Sequence, residues 1–346
     1  MLTSALAMTA SVLFTACKKD EPSSGGGTGN VNKGDVFVVG FEGDVSIENL
    51  TAKLWKNGVE QILSDSATAY SVYVSGNDVY VAGVRNSSPV LWKNGKMQVL
   101  IGDTTYGWAN SVFVSGNDVY VAGYIGGSHY SYGQRISVAT LWKNGIVQNL
   151  TDGLKYSEAK SVFVSGSDVY VAGLESPTNG YGGARAVLWK NGVTQNLTDR
   201  TEHYSKANSV FVYENDVYVV GYLEKDYSKG VGPVWKNGEP LYYWSSQTSN
   251  VVAEYIFVSD GDEYVIVDRS LFKNKEYQTL TVPTGLPSYT SSEALSIFVS
   301  GSDVYVAGYT DYYGDDWAVV WKNGSPQKLS KTYNRVTVAS SVFVVK

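Results

Sequence analysis

The apolar positions of this chain fall into short, nearly continuous runs separated by polar turns, and the runs repeat. The unit Ser-Val-Phe-Val-Ser-Gly-Asn-Asp-Val-Tyr-Val-Ala-Gly begins at Ser111 and recurs, with variation, from Ser71, Ser161, Ser209, Tyr255 and Ser296. Successive copies lie 40, 50, 48, 46 and 41 residues apart. A second unit, Leu-Trp-Lys-Asn-Gly or a near variant, follows each copy and places Trp92, Trp142, Trp189, Trp235 and Trp321; Phe272 substitutes in the copy that begins at Tyr255. Runs of Val, Phe and Tyr bounded by Gly, Asn and Asp predict strands. The first two strands of each copy meet through a turn such as Ser75-Gly76-Asn77-Asp78. The Asn-Gly after each Trp predicts a type I′ hairpin, because both turn residues need positive φ. The segment that follows, residues 148–150 for example, supplies a fourth strand.

Four antiparallel strands at this period predict the blades of a β-propeller. The ends set the count. Asp35-Val36-Phe37-Val38-Val39-Gly40 matches a second strand and Trp55-Lys56-Asn57-Gly58 a third, with no first strand before them. The chain finishes on Ser341-Val342-Phe343-Val344, a first strand with nothing after it. The expected fold is therefore all-β: a seven-bladed β-propeller of four-stranded antiparallel blades over residues 35–346, closed by strand 341–344 completing the N-terminal blade. Such closure removes the open sheet edges that invite aggregation. Alternation puts Val72 and Val74 on one side of the first strand and Tyr73 on the other. Blades flanked on both faces need apolar residues on both, so the repeated Trp is expected to pack between blades. The repeated Asp, such as Asp78, is expected to be a turn acceptor rather than a calcium ligand.

A first strand, a turn, and an aromatic-containing strand ending in Gly, as in Val79-Tyr80-Val81-Ala82-Gly83, resemble kelch repeats over residues 35–346. Kelch repeats carry a Gly pair where this chain has one Gly, and here a Trp stands in the third strand.

Composition narrows the chemistry. The 346 residues carry a net charge of −6, which argues against nucleic acid as a partner, since that needs a basic stripe. The single Cys17 excludes an internal disulfide framework, and with only His129 and His203 no metal site or cofactor is expected. Cys17 follows a short apolar run that suits a signal-peptide core over residues 1–16. Phe14-Thr15-Ala16-Cys17 resembles a lipobox, which implies lipid on Cys17; an ordinary cleaved leader with an incidental Cys is the alternative. Lys18-Lys19-Asp20-Glu21 resembles the surface-export signal of Bacteroidota lipoproteins. The resemblance implies an outer-membrane protein facing the medium, held to the membrane through its lipid alone. Residues 17–34, rich in Gly and Ser, read as a flexible linker.

The two tight turns of each blade lie on one face of the disc, so the connections that vary in length lie on the other. Variable loops on a rigid scaffold commonly carry binding. The longest, 124–138, holds His129, Tyr130 and Tyr132; others are 174–185, 222–232 and 309–316. Trp108, Trp244 and Trp317 fall outside the repeated Trp position, on or beside this face. An Ala two residues before each first strand is followed by a varying residue: Tyr70, Asn110, Lys160, Asn208, Glu254, Leu295 and Ser340. These form an expected ring at the mouth of the central channel, a small site or a wetted rim. The expected function is non-catalytic binding of an extracellular ligand, a glycan before a protein, by a monomer. The candidate residues are Trp108, Asn110, His129, Tyr130, Tyr132, Lys160, Asn208, Trp244, Glu254 and Trp317. A carbohydrate-active enzyme using Glu254, Asp311, Asp315 or Asp316 is the first alternative, although nothing in the sequence pairs these acids as glycosidic chemistry requires. A protein–protein scaffold in an envelope assembly is the second.

Overall fold

The structure, a computed structural model, describes residues 30–44, 49–102, 106–126, 136–176, 183–199, 204–224, 229–286, 290–312, 315–330 and 335–346. Cys17, His129, Tyr130, Tyr132 and His203 lie outside the described residues.

Strands are numbered β1 to β28 in chain order and form seven four-stranded antiparallel sheets, one per blade. Blade 2 gives the pattern: β4 (Ala67–Ser75), β5 (Asp78–Arg85), β6 (Ser88–Lys93) and β7 (Lys96–Val99), in that order from the axis outward. β5 and β6 are buried almost throughout because neighbouring blades cover both their faces, while β7, on the rim, is wholly exposed. The hairpin between β6 and β7 has positive φ at both central residues, Asn94 (52°) and Gly95 (78°), as its Asn-Gly sequence demands. The other innermost strands are β8 (Gly107–Ser115), β12 (Ser157–Ser165), β16 (Tyr204–Tyr213), β20 (Ala253–Ser259) and β24 (Ser291–Ser300), heading blades 3 to 7.

Blade 1 is shared between the two ends of the chain. β28 (Val336–Val344) pairs antiparallel with β1 (Val36–Gly43), which continues outward to β2 (Thr51–Lys56) and β3 (Val59–Asp65). Gly34 N–H donates to the Val345 carbonyl at 2.9 Å and Val345 N–H to the Asp35 carbonyl at 3.0 Å, extending the seam beyond the strands. The ring therefore has no open inner strand.

The repeated Trp side chains pack as expected. Trp55, Trp92, Trp142, Trp189, Trp235 and Trp321 are all 0–1% exposed and sit in the apolar clusters between blades. A glycine in the second strand of each of these blades lies against the backbone of the innermost strand, and in blades 2, 3 and 4 it also makes room for the Trp. A Cβ on Gly83 would stand 2.1 Å from the Thr68 carbonyl oxygen and 2.9 Å from Cζ3 of Trp92. Blade 6 has neither partner: Phe272 replaces the Trp, and Val267 faces Ala253 where Gly83 faces Ala69. Its second strand ends at Val267, at the two-residue turn Asp268-Arg269, so no strand continues past the crowded point.

The repeated Asp does more than accept within its own turn. In blade 2, Asp78 takes Asn94 Nδ2 at 2.7 Å and Lys93 Nζ at 2.7 Å, while Val79 N–H donates to Asn94 Oδ1 at 2.8 Å. This clasp ties the two tight turns of the blade together, and Lys93 also lies 5.2 Å from the centre of the Tyr80 ring. The same Asp–Asn–Lys set recurs on Asp35, Asp118, Asp168, Asp216, Asp262 and Asp303. The tight-turn face is thus a repeated structural lattice.

One expected loop is strand instead. β25 (Asp303–Tyr312) and β26 (Asp315–Lys322) run through most of 309–316, with Thr310 opposite Trp317 and Asp311 opposite Asp316. Antiparallel pairing satisfies the backbone groups that a loop would leave to solvent.

Candidate functional site

Every innermost strand carries a bulge at the same place, toward the variable face. The register slips between Ala69 and Ser71, Ala109 and Ser111, Ala159 and Ser161, Ala207 and Ser209, Ala253 and Tyr255, and Ala294 and Ser296. In β28 the same slip leaves Ser340 without an opposite residue. A bulge takes its extra residue out of the in–out alternation and re-aims the side chain. The extra residues are the ring expected from sequence, and six of the seven, all but Glu254, line an axial cavity of about 260 Å³.

Below this rim the strand order builds two more layers. Serine hydroxyls bind one blade to the next: Val112 N–H donates to Ser71 Oγ (3.1 Å), Val162 N–H to Ser111 Oγ (3.2 Å) and Val210 N–H to Ser161 Oγ (3.2 Å). Beneath them the set that includes Tyr73 converges on the axis. Tyr73, Phe113, Phe163, Phe211, Phe257, Phe298 and Phe343 form a closed cycle of ring contacts, with neighbouring centroids 4.5–5.4 Å apart. The face that alternation assigns to Tyr73 is thus the lumen, and an aromatic belt narrows it.

Of the rim candidates, Asn110 and Asn208 are partly committed to the ring itself. Asn110 Nδ2 donates to the Ala159 carbonyl at 2.9 Å, and Asn208 Nδ2 to the Ala253 carbonyl at 3.0 Å, each reaching the following blade. Lys160 lines the cavity and pairs with Glu158 at 3.1 Å. Glu254 lies outside the lining, where it accepts the Arg269 N–H at 3.3 Å. Burial pushes its carboxyl up from the ordinary value, against the opposing pull of Arg269.

The three unrepeated tryptophans have different surroundings. Trp108, half-buried on β8, stacks on Tyr124 of the neighbouring strand at 5.3 Å and 15°. Trp244, at the end of the outermost strand of blade 5, packs 4.5 Å from Phe272 of blade 6, where the smaller ring has replaced the repeat Trp. Trp317 is 2% exposed, with Lys328 Nζ 4.7 Å from its ring centre. Trp108 alone of the three stands at the mouth beside the rim, one residue before Ala109.

Around that mouth the structure assembles residues the sequence reading did not single out. Tyr156 donates its hydroxyl to Glu158, and burial raises its pKa. Tyr204 lies 6.1 Å from Tyr222, whose hydroxyl donates to Glu224 at 3.1 Å. Arg269 Nη1 donates to the Tyr309 hydroxyl at 2.5 Å and stands 3.9 Å from Glu293. Lys206 precedes Ala207, the position held by Trp108 in blade 3 and Glu158 in blade 4. The available signal was this position: Trp108, Glu158, Lys206 and Glu293 stand there in four blades, against Thr68, Val252 and Val338 in the others. Among the described residues no group of His, Cys, Asp and Glu is arranged to hold a metal ion.

No family model matches the chain, and no curated protein matches it significantly. Among solved structures it is similar to the β-propeller domain of the Trilobed protease from Pyrococcus furiosus, at 10% identity over 87% of this chain and 93% of that one, with a TM-score of 0.48. An acylaminoacyl peptidase from Pyrococcus horikoshii is 11% identical over 87% of this chain and 51% of its own, with a TM-score of 0.47. A prolyl endopeptidase is 12% identical over 81% and 50%, with a TM-score of 0.43. The chain spans about half the length of these two peptidases. Likenesses this distant concern the course of the chain and carry nothing about chemistry; the seven-bladed ring rests on its own strand pairing.

Proposed function

We propose that this chain is a surface-exposed, lipid-anchored, kelch-like propeller that binds a saccharide at its variable face without catalysis. The anchor is Cys17, and the export signal is Lys18-Lys19-Asp20-Glu21. The observation that carries the binding reading is the half-buried Trp108–Tyr124 stack beside the polar rim of an axial cavity. Flat aromatic faces next to convergent amide, hydroxyl and ammonium groups suit a sugar ring, which presents apolar C–H faces and equatorial hydroxyls. The opposite face has its polar groups engaged in the Asp–Asn–Lys clasps.

Glycan-array screening of the full chain tests the reading, with Trp108→Ala as the comparison. Binding that the variant loses supports it. An empty array together with recovery of a stable protein partner would replace it with the scaffold reading. One observation favours catalysis as the second reading: Glu254 has a carboxyl raised by burial, as a general acid needs. That reading requires polysaccharide turnover that Glu254→Gln abolishes.

A further inference from the structure

We propose that Lys206 is the anchor for an anionic substituent, a carboxylate or sulfate, on the saccharide bound at the variable face; this rests on the carbohydrate reading and narrows it. The residue lies on β16, half-buried, directly opposite Tyr222 in register and two residues from Tyr204. The charged groups around it have partners: Lys160 has Glu158, Glu158 also has Tyr156, and the Arg269 guanidinium has the Tyr309 hydroxyl and, at 3.9 Å, Glu293. On the other face each clasp lysine sits on its aspartate. The Lys206 ammonium makes no hydrogen bond or ion pair with any described residue, although the backbone of Lys206 is held in the sheet opposite Tyr222.

A half-buried ammonium without an acceptor is costly to keep charged. Burial first, and the like charge of Lys160 second, hold its pKa below the ordinary 10.5; Glu158 and Glu254 oppose them at a distance. An incoming anion reaching Lys206 beside Lys160 supplies the missing acceptor and cancels the repulsion between the two ammonium groups, through charge-assisted hydrogen bonds. Trp108 and Tyr124, two blades away, then offer the stacking surface for an adjoining sugar.

The test is equilibrium binding of the full chain to three oligosaccharides of equal length, one neutral hexose, one hexuronate and one sulfated hexose. Wild type, Lys206→Met and Lys206→Arg are compared. An anionic probe should bind more tightly than the neutral one and weaken with added salt. Lys206→Met should weaken that binding about ten- to a hundred-fold, the value of one charge-assisted hydrogen bond, while Lys206→Arg retains most of it. Affinity for the anionic probe should fall as pH rises through the depressed lysine pKa, because only the ammonium form donates to the anion. The Met variant should melt no lower than wild type, since it leaves no partner unsatisfied. Equal binding of all three probes, indifferent to Lys206→Met, would overturn the anchor and leave the carbohydrate reading standing. Equal loss of neutral and anionic binding in the Met variant would make Lys206 a structural residue. Failure of wild type to bind any probe would overturn both readings.

Discussion

At the scale of single residues, two repeated pairings explain most of the side chains that stand out in the sequence. The first is Gly with Trp. Gly83→Ala should cost about 1–3 kcal/mol, as overpacking typically does, because its Cβ would enter the Thr68 carbonyl. Gly102→Ala, with nothing within 4 Å of its Cβ, should be silent; chemical denaturation of the two variants checks both. The second pairing is the clasp. Hydrogen bonds from Lys93 and Asn94 hold the Asp78 carboxyl below its ordinary 3.8, and the bond to Asp78 holds Lys93 above its ordinary 10.5. A depressed carboxyl stabilises the fold above 3.8 and loses that contribution as pH falls through its folded pKa. A raised lysine stabilises it below 10.5 and loses that contribution as pH rises through its folded pKa. The clasps should therefore contribute to the melting temperature between these limits and cease to on either side; Asp78→Asn should lower the melting temperature at neutral pH and flatten both falls, and a variant profile identical to wild type would contradict the clasp. The Trp and turn roles were legible because repetition marks them. Lys206 was not, because the position before the repeated Ala holds Thr, Trp, Glu, Lys or Val with no common chemistry, and only burial and missing side-chain partners distinguish it.

At the scale of elements, strand count and closure were legible from the two fragments at the chain ends. The bulge was not. A single extra residue leaves the alternation of apolar and polar positions looking like an ordinary strand start, and only cross-strand register exposes it. The hairpin of β25 and β26 is hidden for a related reason: Tyr, Asp and Gly in 309–316 carry turn chemistry and predict a loop, yet the arms stay paired out to Tyr312 opposite Asp315. Closure makes its own prediction. Deleting residues 336–346 removes β28 and leaves β1 as an open inner edge. The truncated chain should melt at lower temperature, over a broader transition, and associate with itself as concentration rises. An unchanged, monomeric melt would mean that the seam contributes little.

At the scale of the whole molecule, the seven-fold repetition divides the disc into two faces with different work. The tight-turn face repeats one clasp in every blade, and repetition there is what stability needs. The variable face departs from repetition at the rim and just outside it, where Trp108, Glu158, Lys160, Lys206 and Glu254 differ from blade to blade. Identical blades would give a symmetric mouth; the asymmetry is what a single ligand orientation requires. The measurement that tests this division most directly is a binding isotherm on the glycan selected by array, taken for wild type, Trp108→Ala and Lys322→Met. Trp108→Ala should lose at least ten-fold in affinity, in line with removal of an aromatic anchor, while Lys322→Met, on the tight-turn face, should bind as wild type does. Undiminished binding by Trp108→Ala, or an equal loss in Lys322→Met, would contradict it.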